Sequence, residues 1–359
     1  MLTRLAIRAE AERAFAAFRA TGAAEVEADL LLPAGTLLDL YGEDIRAQAY
    51  VTHDPDRGEM MLRPDFTVPV VQAHMLHGAD PARYCYMGEV FRQEDEAPQT
   101  LQVGYEIFDR SAPQEADAEV FALFRDALQG LPVTPVTGDI GILMAAVKGL
   151  ETTERRKSAL LRHIWRPARF RALLDRFSGR APVAPARAAL LQHLASGTAS
   201  DLIAAAGPLI GLRDEAEIAA RAEALLEDAA TPPIPAIAAA MLYDLLQLQA
   251  PARAALSHLQ AIAPHLPAIA PAVATFAQRL DALDRRGVAT EALPFEASLG
   301  RASMEYYDGF VFSFRHGTQT IATGGRYDAL TEVLGRGASI PAVGGILRPH
   351  LMAELRGPK

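Results

Sequence analysis

Two stretches in which apolar and polar residues alternate, Arg83–Arg92 and Leu101–Phe108, predict a pair of strands around a polar, proline-containing connection. Side chains alternate between the faces of a strand, so Gln102, Gly104 and Glu106 share one face, and Leu101, Val103, Tyr105 and Ile107 share the other. The second set is an ordinary core face. The first can be the solvated side of a plain hairpin, or a pocket floor on which the glycine leaves room between an amide and a carboxylate. Arg92 closes the first strand beside it.

The rest of the chain is read against this hairpin. Residues 2–20 predict an amphipathic helix with Leu5, Ala11, Phe15 and Phe18 on one face and Gly22 at its end. Residues 28–33 predict an apolar strand closing on Pro33. After a turn at 56–58 comes Met60–Thr67, where Pro64 stiffens the chain and Asp65 either caps the helix expected over 68–75 or presents its carboxylate to a site. A helix is expected over 116–129. Residues 141–289 turn rich in alanine, leucine and arginine, with breaks at Pro182, Pro185, Pro232, Pro233, Pro235 and Pro251. They predict a run of short helices whose arginines lie along helix surfaces, or meet a nucleotide or partner. Strand signals return at 300–314. The fold class is thus α+β: a mixed, mostly antiparallel sheet flanked by helices, with 1–140 and 290–359 as the core and 141–289 as a helical insertion.

Composition narrows the function. Half of the 359 residues are apolar, enough for one large core or two smaller ones, and the net charge of -9 argues against a large polyanion as partner, so no nucleic acid is expected. The lone Cys85 falls in a predicted strand and reads as a buried thiol. No apolar run is long enough to span a bilayer, and the N-terminus mixes Glu10 and Glu12 with its arginines, unlike a targeting peptide. A cytoplasmic protein without a membrane partner is expected. His74 and His77 lie three apart, but no nearby cysteine or carboxylate completes a metal set, so neither metal nor other cofactor is expected.

Several stretches carry a resemblance. Gly88-Glu89-Val90-Phe91-Arg92 with its returning strand resembles motif 2 of the class II aminoacyl-tRNA synthetases, and Gln102-Val103-Gly104-Tyr105-Glu106 is similar to the histidyl-tRNA synthetase pattern. Leu62-Arg63-Pro64-Asp65-Phe66-Thr67, Tyr306-Tyr307-Asp308-Gly309 and Gly324-Gly325-Arg326-Tyr327-Asp328 resemble other stretches of that family, in the same order. Residues 28–33 are similar to motif 1, which implies a homodimer interface there. For a histidine ligand the resemblance implies Asp65, Thr67 and Gln102 at the ammonium, Glu106 and Tyr307 at the imidazole, Tyr327 with Gly324-Gly325 as a wall, Arg301 at the carboxylate, and Arg92 and Tyr306 within the same set.

The ATP and tRNA machinery departs from the pattern. Leu351 stands where the motif 3 arginine belongs, with Arg348 three residues early; Gln93-Glu94-Asp95-Glu96 replaces a long basic loop; and no anticodon-binding domain is expected in the few residues after motif 3. A kept amino-acid pocket with altered ATP chemistry resembles the regulatory subunits of the short-form ATP phosphoribosyltransferase, which serve the first step of histidine biosynthesis. That implies no catalytic residues, L-histidine as effector, feedback inhibition, support of catalytic-subunit activity, and a hetero-octamer with that subunit. The alternatives are a truncated histidyl-tRNA synthetase-like amino-acid-activating enzyme and a scaffold with a vestigial pocket.

Overall fold

The computed structural model describes residues 3–41, 48–93, 97–208, 210–299 and 307–357. In chain order the strands are β1 (Ala24–Glu25), β2 (Leu31–Pro33), β3 (Val51–Asp54), β4 (Gly58–Leu62), β5 (Ala82–Phe91), β6 (Gln99–Phe108) and β7 (Thr134–Asp139). They continue with β8 (Gln249–Pro251), β9 (Pro294–Glu296), β10 (Phe310–His316), β11 (Gln319–Arg326) and β12 (Ala342–Leu347). The expected hairpin forms: β5 and β6 pair antiparallel from Ala82↔Phe108 to Phe91↔Gln99. They sit inside a nine-stranded sheet of order β1-β5-β6-β12-β11-β10-β7-β9-β8, and β2-β4-β3 form a separate three-stranded sheet. The large sheet is mixed but mostly antiparallel, with parallel pairs at β1–β5 and β7–β9.

The core face of the hairpin is as expected. Val103, Tyr105 and Ile107 are fully buried beneath two helices, Arg4–Arg19 and Pro113–Ala127. Phe18 meets Tyr105 and Phe124 at ring distances of 5.4 and 5.2 Å. Arg4–Arg19 starts where Thr3 Oγ1 accepts the Ala6 N–H (3.2 Å), and it buries Ala11, Ala14, Phe15 and Phe18. Leu5 does not join them: it falls off that three- and four-residue stripe and stays 80% exposed. The apolar run 28–33 shortens to β2. The carbonyls of Ala28 and Asp29 accept instead from the Arg63 guanidinium, so they need no strand partner.

The alanine-rich stretch folds mainly as helices, from Ile140–Lys148 to Ala270–Arg285; Pro182, Pro232 and Pro233 lie in connections between helices, as the expected breaks, and the other three mark helix starts. Pro185 opens one helix, and Pro235 and Pro251 stand at the N-caps of two others. Strand β8 is a departure from the wholly helical expectation. It joins the sheet edge by pairing Ala250 with Phe295 of β9. Its neighbour Phe276 packs on Phe295 at 4.9 Å, and one apolar cluster runs from Phe18 through Phe170 and Leu242 to Leu283.

Candidate functional site

On the opposite face of the sheet, the register brings Tyr86 beside Gly104 and Glu106 beside Gly344. The expected space above Gly104 is filled. A Cβ there would overlap the Tyr86 ring, and a Cβ at Gly344 would overlap the Glu106 carboxylate. Both glycines therefore let a neighbouring side chain lie flat on the sheet. Tyr86 itself stacks on Phe66 (4.4 Å between centroids, 11° apart), and the Arg63 guanidinium lies over the Phe66 ring, 3.7 Å from its centroid.

Glu106 is the centre of this arrangement. Its Oε1 accepts from Tyr86 Oη (2.9 Å) and Thr67 Oγ1 (3.2 Å), and its Oε2 accepts from Tyr327 Oη (2.6 Å). Burial pushes the carboxyl up to about 7, against the pull of these three donors; the nearby Asp65 charge pushes the same way. The phenols of Tyr86 and Tyr327 are driven well above their usual range, first by burial and then by the adjacent carboxylate. The site can therefore hold a carboxyl in either protonation state near neutral pH, ringed by hydroxyls that can donate to it.

The remaining predicted residues fall around this centre. Asp65 is buried, and its Oδ1 accepts the Val68 N–H (3.3 Å) at the start of the Thr67–His77 helix. The capping and site readings of Asp65 are thus compatible in one geometry. Arg92 is half-buried, its Nε donating to the Pro64 carbonyl (3.0 Å). Gln102 lies on the Glu106 face four residues away, buried, with its Oε1 unpaired among the described residues. Tyr307 is buried in one apolar cluster with Tyr86 and Tyr327, against Gly325. Arg301 and Tyr306 lie outside the described residues, as do Glu94, Asp95 and Glu96 of the acidic loop. His74 stacks on Phe108 at 3.8 Å and pairs through Nδ1 with Tyr84 Oη (3.1 Å); burial lowers its pKa.

Sequence reasoning missed Tyr86. Its position, two residues before Gly88, put it on a strand, but only the cross-strand register reveals that it lies over Gly104 and reaches Glu106. It also missed a second polar cluster on the other face. Arg326 follows the site-facing Gly325 and points the opposite way, giving Nε and Nη2 to Asp117 Oδ1 (3.1 and 2.7 Å). Arg279 bonds Asp117 Oδ2 and Asp139 Oδ2, both at 2.7 Å. Asp139 also caps the Ile140–Lys148 helix. At the motif 3 position, Leu351 packs on the main apolar cluster, and Arg348 donates to the Thr320 carbonyl (3.0 Å).

This sheet order and site series define a histidyl-tRNA synthetase-like protein of the class II synthetase fold. The histidyl-tRNA synthetase family model matches residues 4–231 and 216–350. Two solved structures share the fold over 98% of the chain. One is an ATP phosphoribosyltransferase regulatory subunit/histidyl-tRNA synthetase from Bacillus halodurans (TM-score 0.69, 21% identity, 79% of that chain). The other is a histidyl-tRNA synthetase from Nostoc (TM-score 0.64, 15% identity, 71% of that chain).

Closer relatives narrow the class. The Brucella anthropi ATP phosphoribosyltransferase regulatory subunit is 33% identical over 341 residues, covering 89% of each chain. Its Brucella canis namesake is 32% identical over 359 aligned positions, covering 93% of each. The chain belongs to the ATP phosphoribosyltransferase regulatory subunit family, within the histidyl-tRNA synthetase-like fold. No helix among the described residues is long and apolar enough to cross a membrane.

Proposed function

We propose that the chain is a non-catalytic regulatory subunit that binds L-histidine over Glu106, transmits feedback inhibition to the short-form ATP phosphoribosyltransferase catalytic subunit, and supports that subunit's activity. The observation that carries this reading is the enclosed Glu106 carboxylate with Asp65, Thr67, Tyr86 and Tyr327 around it. An imidazole N–H is a suitable donor to Glu106, entering by exchange with one of the three hydroxyls, and Asp65 and Gln102 suit an ammonium group. Arg92, Arg301, Tyr306 and Tyr307 complete the proposed set. The aliphatic Leu351 in place of a motif 3 cation supports a non-catalytic role.

The same proposal includes a homodimer through the motif 1 region, supported by the exposure of Leu30, Leu31 and Val51 there. It also includes a hetero-octamer with the catalytic subunit, a cytoplasmic location, and a core of 1–140 and 290–359 carrying 141–289 as an insertion. Histidine inhibits only if it binds one state of the complex better than another.

The test is the initial rate of the short catalytic subunit, with and without this chain, under a histidine titration. The expected result is a rate that rises on adding the chain and falls with histidine, with inhibition weakened by Glu106→Gln and Glu106→Ala while the complex still assembles. A rate indifferent to the chain sinks the proposal. Histidine-dependent exchange of pyrophosphate into ATP then tests the activating-enzyme alternative, in which Arg92 would act as the motif 2 arginine.

A further inference from the structure

A second concave site lies far along the chain from Glu106. The helix Pro167–Phe177 buries Phe170, Leu174 and Phe177 and turns the opposite face, with Arg169, Leu173 and Arg176, outward. That face, the 179–184 connection and the start of the Pro185–Ser196 helix enclose a cavity of about 530 Å3, which His163, Val183 and Arg187 also line.

Its charge is unbalanced. Residues 154–187 hold ten Lys and Arg against two Asp and Glu, within a chain of net charge -9. One carboxylate, Asp228, serves two of the nearby guanidiniums: Arg156 at 2.6 Å and Arg187 at 2.7 Å. Arg176 lies over the Phe177 ring at 4.6 Å, and among the described residues neither it nor Arg169 pairs with a carboxylate. Partial desolvation lowers the Arg176 pKa against the opposing pull of Asp228, and the neighbouring Arg187 and Arg156 charges lower it further. The Pro185–Ser196 helix also begins here, with Ala184 at its N-cap offering no side-chain cap.

We propose that this cavity binds a compact polyphosphate anion, its phosphates among Arg169, Arg176 and Arg187 and its less polar part against Leu173 and Val183. The volume suits a small molecule. An extended polyanion is disfavoured, because the adjoining Glu215–Ala230 helix carries Glu215, Glu217, Glu223, Glu227 and Asp228 against Arg221 alone. This inference stands apart from the histidine reading and uses none of its residues.

The test is calorimetric titration of the full chain with inorganic triphosphate and, separately, with a nucleoside triphosphate at low salt. Wild type should bind saturably, and the double variant R169A/R176A should bind about tenfold more weakly, from two lost charge contacts. R162A, outside the lining, should bind as wild type. Both arginines tested are exposed, so the fold is kept, and an unchanged thermal unfolding midpoint in the double variant serves as the check on it. Tighter binding of the nucleoside triphosphate than of triphosphate places its base on the Leu173–Val183 wall and supports the proposal. Equal binding by wild type and R169A/R176A, or no saturation at millimolar triphosphate, overturns it. So does a short RNA duplex that binds more tightly than either and loses that binding in R169A/R176A.

Discussion

Two buried polar clusters sit on opposite faces of one sheet and solve the same problem differently. Around Glu106, one carboxylate meets three neutral hydroxyls, and burial still prevails, so its proton is retained to about pH 7. Around Asp117, each buried charge meets an opposite one: Asp117 takes Arg279 and Arg326, and Arg279 takes Asp117 and Asp139. The aspartates raise the pKa of both guanidiniums in spite of burial, so those two cations stay fixed. Neutral donors leave the Glu106 carboxyl open to change, whereas the paired aspartates hold two guanidiniums charged. The first arrangement suits a site that answers a ligand and the second suits a fastening.

The comparison breaks most easily at Asp117. Asp117→Ala leaves two buried guanidiniums short of a partner, and chemical denaturation should show a loss of about 3–5 kcal/mol. A loss no larger than that of an exposed surface substitution would mean that this cluster does not fasten the fold.

The next largest effect is a pH dependence. Unfolded Glu106 releases its proton near 4.5 and the folded group near 7, so between these values the folded state binds more protons and stability falls as pH rises. The drop assigned to Glu106 is about 3 kcal/mol across that window. Asp308, half-buried and raised to about 6, slopes the same way, so the measurement is the difference between wild type and E106Q. Denaturation profiles of the two should diverge between pH 5 and 8, with the wild type falling more. Parallel profiles would show that Glu106 ionises as an ordinary surface carboxylate does.

Smaller effects sharpen the account of the donors. Tyr327→Phe should lower stability by about 2 kcal/mol at pH 8, where Glu106 is ionised, and by less at pH 5. Thr67→Val, at the longest of the three contacts, should cost about 1 kcal/mol and follow the same trend. Effects independent of pH would assign both side chains to packing alone.

The hairpin was legible because its alternation is long and has aromatic residues on the core side; its observed limits lie within two residues of the expected ones. Asp65, Thr67, Glu106 and Tyr327 could be nominated because their order along the chain carries a resemblance. What stayed hidden depends on pairing between distant segments. Tyr86 over Gly104, Arg63 taking the carbonyls of 28 and 29, and the short β8 beside β9 each follow from register or tertiary contact. Leu5 looked like a core residue because it is apolar near the stripe, but the sheet below the helix takes only Ala11 to Phe18.

The Asp117 cluster has a consequence for how the chain is made. Its partners are 162 residues away at Arg279 and 209 away at Arg326, so its loops close late and at high entropic cost. A chain emerging from synthesis must carry Asp117 without either cation until most of its length exists. Truncation anywhere before residue 279 leaves that carboxylate without a counter-charge, so incomplete chains carry a built-in defect that finished ones lack. The cluster thus links the stability of the first third of the protein to the arrival of its last.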